Sequence, residues 1–335
     1  MCFKVFIIGR ADSLGIEERV RIERDVLGDC ADVEFLEASD RNLIERCAAA
    51  DALIISHDPI LDAGVFSRFG RVRVIVRNGV GYDNVDIDAA ARNGITVCNV
   101  PDYGTEEVAD HALALTLALT RHLKSFMTDV SSGGWNWRVG IDCRRNRGRL
   151  LGLIGCGRIG TAMALRSKAV GFRVAFYDPY VPSGYEKALA IERVLCLDDL
   201  LRTADILSIH APLTGETHGM LGAEQFGRMK QSAYLVNTAR GGIIVYKDLV
   251  AALTKQRIAG AALDVLENEP ADAEELRCLP NCILTPHAAF YSQESLIELR
   301  KQSALIVRDA LANGQYRNVV NGTTNFAVNV LDSSE

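Results

Sequence analysis

The stretch "LLGLIGCGRIGTAMALRSKAVGFRVAFYDPY", residues 150–180, carries the glycine pattern GxGxxG at Gly155, Gly157 and Gly160. An apolar run precedes the pattern, a helical run follows it, and a second apolar run ends at Asp178. The glycine pattern alone is weak. Strand, glycine turn, helix, strand and terminal acid in this order are typical of a dinucleotide-binding β-α-β unit. With all of these parts present, we favour that site over an ordinary strand–turn–helix.

Each part of this unit has a physical role. Gly155 allows a tight turn, Gly157 lets a pyrophosphate approach the backbone, and Gly160 lets the helix pack close to the strand. The start of the helix offers free N–H groups and the positive end of its dipole to phosphates. Asp178 can accept hydrogen bonds from both hydroxyls of an adenosine ribose, and its charge repels a 2′-phosphate. Because no basic residue follows at once in "DPYVPSG", the sequence predicts NAD as the cofactor and disfavours NADP.

The glycine pattern comes late in the chain, since about 150 residues precede it. Those residues alternate short strand-like runs with helical stretches, which predicts parallel β-α-β construction and an α/β fold. The strand-like runs occupy residues 4–9, 33–38, 52–57, 72–77 and 95–100. Residues 101–127 predict one long helix, apolar enough for both of its faces to be buried. The nucleotide domain must therefore be inserted into another domain or appended to it.

Composition limits the function. The 335 residues carry 37 basic and 43 acidic side chains, a net charge of −6, which argues against a nucleic-acid-binding surface. The basic run "RRNRGR" at 144–149 has no interleaved aromatic residues and predicts a solvated loop. The most apolar stretch, residues 111–120, is too short to span a bilayer. Nine cysteines without a CxxC pair predict neither a disulfide framework nor a metal site. We therefore expect a soluble, cytoplasmic protein with no membrane, nucleic-acid or metal partner.

Three later strand-like runs end in residues suited to reduce a 2-keto acid. Arg240 follows the first, Asp264, Glu267 and Glu269 follow the second, and His287 ends the third. The carboxyl ends of parallel strands share one edge of a sheet, where ligands bind. Arginine can hold a carboxylate by two parallel hydrogen bonds and polarise a carbonyl, and imidazole exchanges protons near neutral pH. We favour Glu269 as the acid that orients His287, with Glu267 as the alternative; the same residues could instead form unrelated ion pairs.

Five motifs together resemble the NAD-dependent D-2-hydroxyacid dehydrogenase family, and the resemblance covers nearly the whole chain. They are "RNGVGYDNVD" (77–86), "GCGRIG" (155–160), "YLVNTARGG" (234–242), "AALDVLENEP" (261–270) and "LTPHAAFYS" (284–292). The resemblance implies two Rossmann-like or flavodoxin-like domains. A discontinuous substrate-binding domain would comprise residues 1–100 and 288–335, and an NAD-binding Rossmann domain would comprise residues 101–287. It also implies a homodimer, with the helix near 105–125 and the following arm in the interface.

The resemblance also implies roles for individual residues. The catalytic set is Arg240, Glu269 and His287. Residues expected to bind substrate are Arg77, Asn78, Gly79, Val80, Gly81 and Phe290. Those expected to bind the cofactor are Thr105, Gly155, Gly157, Arg158, Ile159, Gly160, Asp178, His210, Ala211, Pro212, Thr217, Thr238, Ala239 and Asp264, the last matching the residue that holds the nicotinamide carboxamide.

Within the family, the motifs are most similar to the branch of the C-terminal-binding proteins, transcriptional corepressors that bind NAD(H). Phe290 stands where that branch has a tryptophan, and phenylalanine is smaller and lacks the indole N–H. Two functions follow. The first is an enzyme that reduces a 2-keto acid with NADH and uses His287 as general acid and base. The second is an NAD(H)-sensing scaffold that recruits peptide partners. The corepressors carry long tails and this chain ends soon after "NVLDSSE", so we favour the enzyme.

Overall fold

The computed structural model describes residues 2–10, 16–269 and 274–323 and divides the chain into two compact units. Unit 1 combines the chain up to Tyr103 with the chain from Gln293 onward, and unit 2 is the continuous stretch Gly104–Ser292. The divisions lie near the expected domain boundaries after residues 100 and 287. Assignment of substrate to unit 1 and of cofactor to unit 2 stays a prediction.

Unit 1 is built on a five-stranded parallel sheet in the order β2-β1-β3-β4-β5. This is the flavodoxin-like order. The strands read as continuous apolar runs because helices cover both faces of a parallel sheet. The elements are β1 (Phe3–Gly9), α1 (Ile16–Leu27), β2 (Ala31–Glu37), α2 (Leu43–Cys47), β3 (Ala52–Ile55), α3 (Ala63–Phe66), β4 (Val74–Arg77), α4 (Ile87–Arg92) and β5 (Thr96–Asn99), with a 3-10 helix at Gly28–Cys30.

Unit 2 is built on a seven-stranded parallel sheet. Its strands are β6 (Leu150–Ile154), β7 (Arg173–Tyr177), β8 (Glu192–Arg193), β9 (Ile206–Ile209), β10 (Tyr234–Asn237), β11 (Gly260–Leu263) and β12 (Cys282–Leu284). They lie in the order β12-β11-β10-β9-β6-β7-β8, so the first strand is flanked by the second and the fourth. This is the Rossmann order, in which ligands bind beyond the carboxyl ends of the strands where the order reverses, here between β6 and β9.

The helices of unit 2 surround this sheet. They are α5 (Thr105–Thr120), α6 (Leu123–Ser131), α7 (Arg158–Ala169), α8 (Tyr185–Leu189), α9 (Leu197–Thr203), α10 (Ala223–Arg228), α11 (Tyr246–Thr254) and α12 (Glu274–Arg277), with 3-10 helices at Trp137–Gly140 and Gly241–Ile243. Within the described stretches, no helix combines the length and the apolarity needed to cross a membrane.

The prediction of one long helix over 101–127 is wrong. The chain forms α5, which has a buried face, and then α6, which has no buried side chain. The break lies at His122, whose φ of 55° places it in the left-handed region. A residue in that conformation cannot continue a right-handed helix, so the axis changes direction there.

Unit 1 is completed by the last helix, α13 (Gln293–Asn313), which packs against α1, β3 and β4. Arg300 on α13 donates to both carboxylate oxygens of Glu23 on α1, at 2.8 and 2.6 Å. Glu23 is only 2% exposed. The segment after α13 then returns to β5, where Asn321 Oδ1 accepts the N–H of Val97.

We predict that Arg300→Met destabilises unit 1 by about 3–5 kcal/mol, because it leaves the charge of Glu23 buried without its partner. The measurement is amide hydrogen exchange of the peptides that contain β1 and β3. The double variant Glu23→Leu/Arg300→Met should recover most of the loss. Arg46→Met is the control; it removes the solvent-accessible ion pairs of Arg46 with Glu34 and Asp40 and should cost much less stability. Equal losses of unit 1 stability in Arg300→Met and Arg46→Met would contradict the prediction.

Candidate active site

The glycine turn after β6 is shaped by close backbone contacts. Gly155 has φ +88°, and a Cβ there would lie 2.8 Å from the backbone of His210 and Ala211. A Cβ on Gly160 would lie 2.3 Å from the carbonyl oxygen of Gly155. A Cβ on Gly157 would meet no atom within 4 Å. Two of the glycines are therefore needed for packing within unit 2, and the third faces open space.

The turn leads into α7, whose first residues are Arg158 and Ile159. No side chain caps this helix start, and the space beside the Gly157 Cα is open. Asp178 follows β7 and is held at the turn, because its Oδ2 accepts the N–H of Cys156 at 2.8 Å. Its Oδ1 accepts the N–H of Tyr180 at 2.9 Å. The structure thus brings the acid to the glycine turn, as an adenosine-ribose site requires.

Three polar atoms near this edge of the sheet are buried and have no hydrogen-bond partner among the described residues. They are Thr105 Oγ1, His210 Nδ1 and Thr238 Oγ1. Burial lowers the pKa of His210 to about 4, so its imidazole is neutral, and Nε2 lies 2.9 Å from Ser208 Oγ. Buried polar atoms are nearly always hydrogen-bonded, so a trio of this kind indicates a ligand. Two residues that no motif singles out also carry such an atom, Asn146 and Ser167.

The loop after β9 closes on itself. The hydroxyl of Thr217 donates to the carbonyl of Pro212 at 2.6 Å and accepts the N–H of Thr214 at 2.8 Å. The glycine turn, the tethered acid and the unpartnered atoms together fit a dinucleotide. No cluster of three or more metal-binding side chains occurs in the part of the chain that the structure describes.

Arg240 stands in a turn that Asn237 holds. Asn237 ends β10 and is fully buried; its Nδ2 donates to the carbonyl of Arg240 at 2.9 Å, and its Oδ1 accepts the N–H of Ala239 at 3.0 Å. A Cβ on Gly241 would lie 1.9 Å from the carbonyl carbon of Leu266. The turn therefore packs against the loop that follows β11. The sequence interpretation missed Asn237, although an asparagine between a buried strand and a glycine turn was a visible signal.

His287 follows β12 and has φ 53°, in the left-handed region. Its N–H donates to the carbonyl oxygen of Asp264 at 2.8 Å. The carboxylate of Asp264 accepts the N–H groups of Ala288 and Ala289, both at 2.9 Å. Asp264 is 2% exposed, so this carboxylate fixes the backbone around His287. These partners come from the protein itself, and the expected contact of Asp264 with a nicotinamide carboxamide stays a prediction.

The side chain of His287 is paired with Glu269. Nδ1 lies 2.7 Å from Glu269 Oε2, and Glu269 Oε1 accepts the N–H of Leu266 at 3.0 Å. A carboxylate only accepts, so Nδ1 carries the proton in this pair. Of the two acids that the sequence left open, the structure pairs Glu269 with the imidazole. The ring of Phe290 packs edge-on to the imidazole, with centroids 6.2 Å apart.

The predicted carboxylate-binding turn lies in unit 1. Arg77 Nη1 donates to the carbonyl of Asn78 at 3.0 Å, and Gly79 has φ +146°, which only glycine adopts easily. The carbonyl of Val80 accepts the side-chain N–H of Asn99 at 2.7 Å. Ser303 donates to Asn78 Oδ1 at 2.8 Å. Gly81 completes the turn in the sequence. Asn99 and Ser303 were missed; the serine carries no sequence signal, since it lies 225 positions away.

Comparison with known proteins identifies the family. Residues 113–289 match the profile described as "D-isomer specific 2-hydroxyacid dehydrogenase, NAD binding domain". The chain belongs to this family. The matched region includes the Arg240 turn, the loop after β11 and His287. This dehydrogenase is therefore an oxidoreductase with an NAD-binding Rossmann domain.

Two curated relatives are similar over most of the dehydrogenase. The glyoxylate reductase of Korarchaeum cryptofilum (strain OPF8) is 43% identical over 265 residues, which cover 77% of this chain and 78% of the relative. C-terminal-binding protein 1 of Caenorhabditis elegans is 37% identical over 305 residues. That match covers 88% of this chain and 42% of the relative, so the chain spans less than half the length of that relative.

Three solved structures are similar over almost their whole length. A glyoxylate reductase from Paecilomyes thermophila has a TM-score of 0.87 at 27% identity, covering 96% of this chain and 99% of that one. D-lactate dehydrogenase from Aquifex aeolicus, complexed with NAD and lactic acid, has a TM-score of 0.83 at 29% identity, covering 95% and 99%. An acyclic imino acid reductase in complex with NADPH and D-Arg has a TM-score of 0.82 at 26% identity, also covering 95% and 99%.

We predict that Gly157→Ala preserves the melting temperature but raises the Kd for NADH roughly tenfold or more. The added methyl group meets no protein atom within 4 Å. It would meet a pyrophosphate, and such overpacking costs about 1–3 kcal/mol. Gly227→Ala on α10, also without neighbours within 4 Å, is the control and should change neither quantity. An unchanged Kd in Gly157→Ala would show that no ligand approaches this glycine.

Proposed function

We propose that the dehydrogenase reduces a 2-keto acid to the D-2-hydroxy acid with NADH, reversibly, and that His287 is the general acid and base. The observation that carries the proposal is the His287–Glu269 pair at 2.7 Å, on a loop that a buried carboxylate fixes. The pair is partly exposed, with side chains 23% and 33% accessible, so a ligand can reach it.

In this mechanism Arg240 binds the substrate. The guanidinium of Arg240 can hold the carboxylate by two parallel hydrogen bonds and polarise the C2 carbonyl. The turn from Arg77 to Gly81 in unit 1, held in place by Asn99 and Ser303, is a further candidate for carboxylate binding through its backbone amides. Bound NADH supplies the hydride to C2.

His287 supplies the proton. With Nδ1–H directed at Glu269, Nε2 is the nitrogen that gives its proton to the C2 oxygen as the C–H bond forms. The products are the hydroxy acid, NAD⁺ and a neutral imidazole whose remaining proton stays on Nδ1. In the reverse direction Nε2 takes the hydroxyl proton. Glu269 orients the ring and compensates its charge when both nitrogens are protonated.

Different residues of unit 2 suit different parts of the cofactor. The glycine turn and the start of α7 suit the pyrophosphate, and Asp178 suits the adenosine ribose. Thr105, His210 and Thr238 offer their buried polar atoms, and Ala211, Pro212, Thr217 and Ala239 would contribute to the walls. One similar structure binds NAD and another NADPH, so the preference rests on this chain's own residues. The carboxylate of Asp178 favours NADH.

We also infer a homodimer. The support is the apolar surface of α6 and the following arm: Trp135 is 91% exposed, and Met127, Trp137 and Ile141 are exposed as well. Exposed apolar patches of this kind mark protein–protein interfaces.

A second candidate function is an NAD(H)-sensing scaffold that binds peptide partners. The 37% identity with C-terminal-binding protein 1 favours it. The two functions differ in turnover. A scaffold would bind NADH without reducing any keto acid at a useful rate, whereas an enzyme would show saturable reduction of at least one.

We predict that a screen of 2-keto acids with NADH finds a substrate and that His287→Asn lowers its kcat by about 10²- to 10⁴-fold. Asparagine tolerates the left-handed region, so the backbone is kept while the proton donor is lost. The Kd for NADH should not change. His122→Asn, at another histidine with φ 55°, is the matched control and should retain kcat. Full kcat in His287→Asn would refute the assigned role, and NADH binding without any turnover in the parent would favour the scaffold.

We predict that the parent prefers NADH and that Asp178→Ala lowers the NADH-to-NADPH ratio of kcat/KM by roughly 10- to 100-fold. This change in the ratio corresponds to the free energy of one or two hydrogen bonds to a charged group. Asp178→Asn keeps an acceptor but removes the charge, so it separates hydrogen bonding from repulsion of a 2′-phosphate. Tyr180→Arg should shift the ratio further towards NADPH. A parent that uses NADPH as well as NADH would contradict the assignment of Asp178.

A further inference from the structure

One face of α5 contacts both ends of the loop that carries His287. His111 Nε2 lies 3.0 Å from Thr285 Oγ1, and Glu107 Oε1 accepts the hydroxyl proton of Ser292 at 2.8 Å. Residues four apart on a helix lie on the same face. Thr285 is the first residue after β12, and Ser292 is the last before α13. The loop is therefore held at its two ends by one helix.

The hydrogen bonds at Thr285 have a defined direction. Its hydroxyl donates to Asp264 Oδ1 at 2.5 Å. A hydroxyl has a single proton, so Thr285 Oγ1 must accept from His111, whose proton is then on Nε2. His111 Nε2 also lies 3.6 Å from Asp264 Oδ1. His111 thus donates to Thr285, and Thr285 donates to the carboxylate of Asp264.

That carboxylate is the acceptor for the two amides that follow His287. The left-handed conformation of His287 is unfavourable for a residue other than glycine and persists only when its surroundings impose it. Thr285 donates to Asp264 Oδ1, the same oxygen that accepts the N–H of Ala288, and His111 donates to Thr285. Loss of the Thr285 hydroxyl leaves the buried carboxylate of Asp264 short of one donor, and loss of His111 leaves Thr285 Oγ1 without the donor that fixes the direction of its hydroxyl.

We propose that His111 is a positioning residue for His287, acting through Thr285 and Asp264. The proposal rests on the proposed function of His287 and names a residue outside the Arg–Glu–His set. The side chain of His111 is 26% exposed, whereas Ala112 and Leu115 of the same helix belong to the buried core of unit 2. The polar contact can therefore be removed while the helix stays packed.

The test compares His111→Leu with His111→Gln, whose side-chain amide can donate from nearly the position of Nε2. We expect His111→Leu to lower kcat roughly 10- to 100-fold, as misplaced catalytic groups do. His111→Gln should recover most of kcat. Thr285→Val should resemble His111→Leu, and the double variant should be no worse than either, because both act through one network.

A second readout does not depend on turnover. In protein labelled with ¹⁵N-histidine, the ring resonances of His287, assigned from their loss in His287→Asn, should move or broaden in His111→Leu and return in His111→Gln. If the parent reduces no keto acid, the proposed function fails and these resonances alone decide the positioning role. Normal kcat in His111→Leu, or unchanged His287 resonances in that variant, would overturn the proposal, as would a loss that His111→Gln fails to restore.

Discussion

The buried carboxylate of Asp264 is the group on which the geometry of the candidate active site depends. A buried charge is costly without donors, and Asp264 obtains them from the hydroxyl of Thr285 and the amides of Ala288 and Ala289. Those amides come directly after His287, and the carbonyl of Asp264 accepts the N–H of His287 itself. The hydrogen bonds that satisfy the charge of Asp264 therefore also impose the left-handed backbone conformation of His287. Removal of the Asp264 carboxylate would therefore free the backbone around His287, and a change in that backbone would leave the carboxylate without its donors.

Close approach of backbone segments brings the remaining groups to this point. At Gly241 the turn after β10 comes so near to Leu266 that no side chain could fit between them, and Leu266 in turn donates to Glu269. At Gly155 the turn after β6 meets the backbone at His210 in the same way. Neighbouring parallel strands end at one edge of the sheet, so short loops with glycine at the contact points suffice to bring their residues together. The candidate site residues of unit 2 are therefore far apart in the sequence and come together only when the sheet forms.

The sequence was sufficient for features that repeat a local pattern. Apolar runs predicted most strands of both sheets but not the two-residue strand β8, and the glycine turn with its acid predicted the Rossmann unit. The helix break at His122 was not predictable, because "LTRHLKSF" contains no glycine or proline and the left-handed residue is selected by tertiary packing. Contacts such as Ser303 with Asn78 join distant segments and leave no local pattern. The same holds for His111 and Thr285, whose partnership depends on how α5 lies against the sheet.

Because unit 2 is continuous in the sequence and unit 1 is not, the two units complete their folding at different times during synthesis. Unit 2 is the single stretch Gly104–Ser292, whereas the sheet of unit 1 needs α13 and the segment that contacts β5, both of which come after that stretch. On the ribosome, β1–β5 emerge first but lack the helix that packs on β3 and β4 until unit 2 has been synthesised. Unit 2 can fold as soon as it is complete. Strands β3 and β4 lack the cover of α13 for that interval, so unit 1 begins to form before unit 2 but is completed after it.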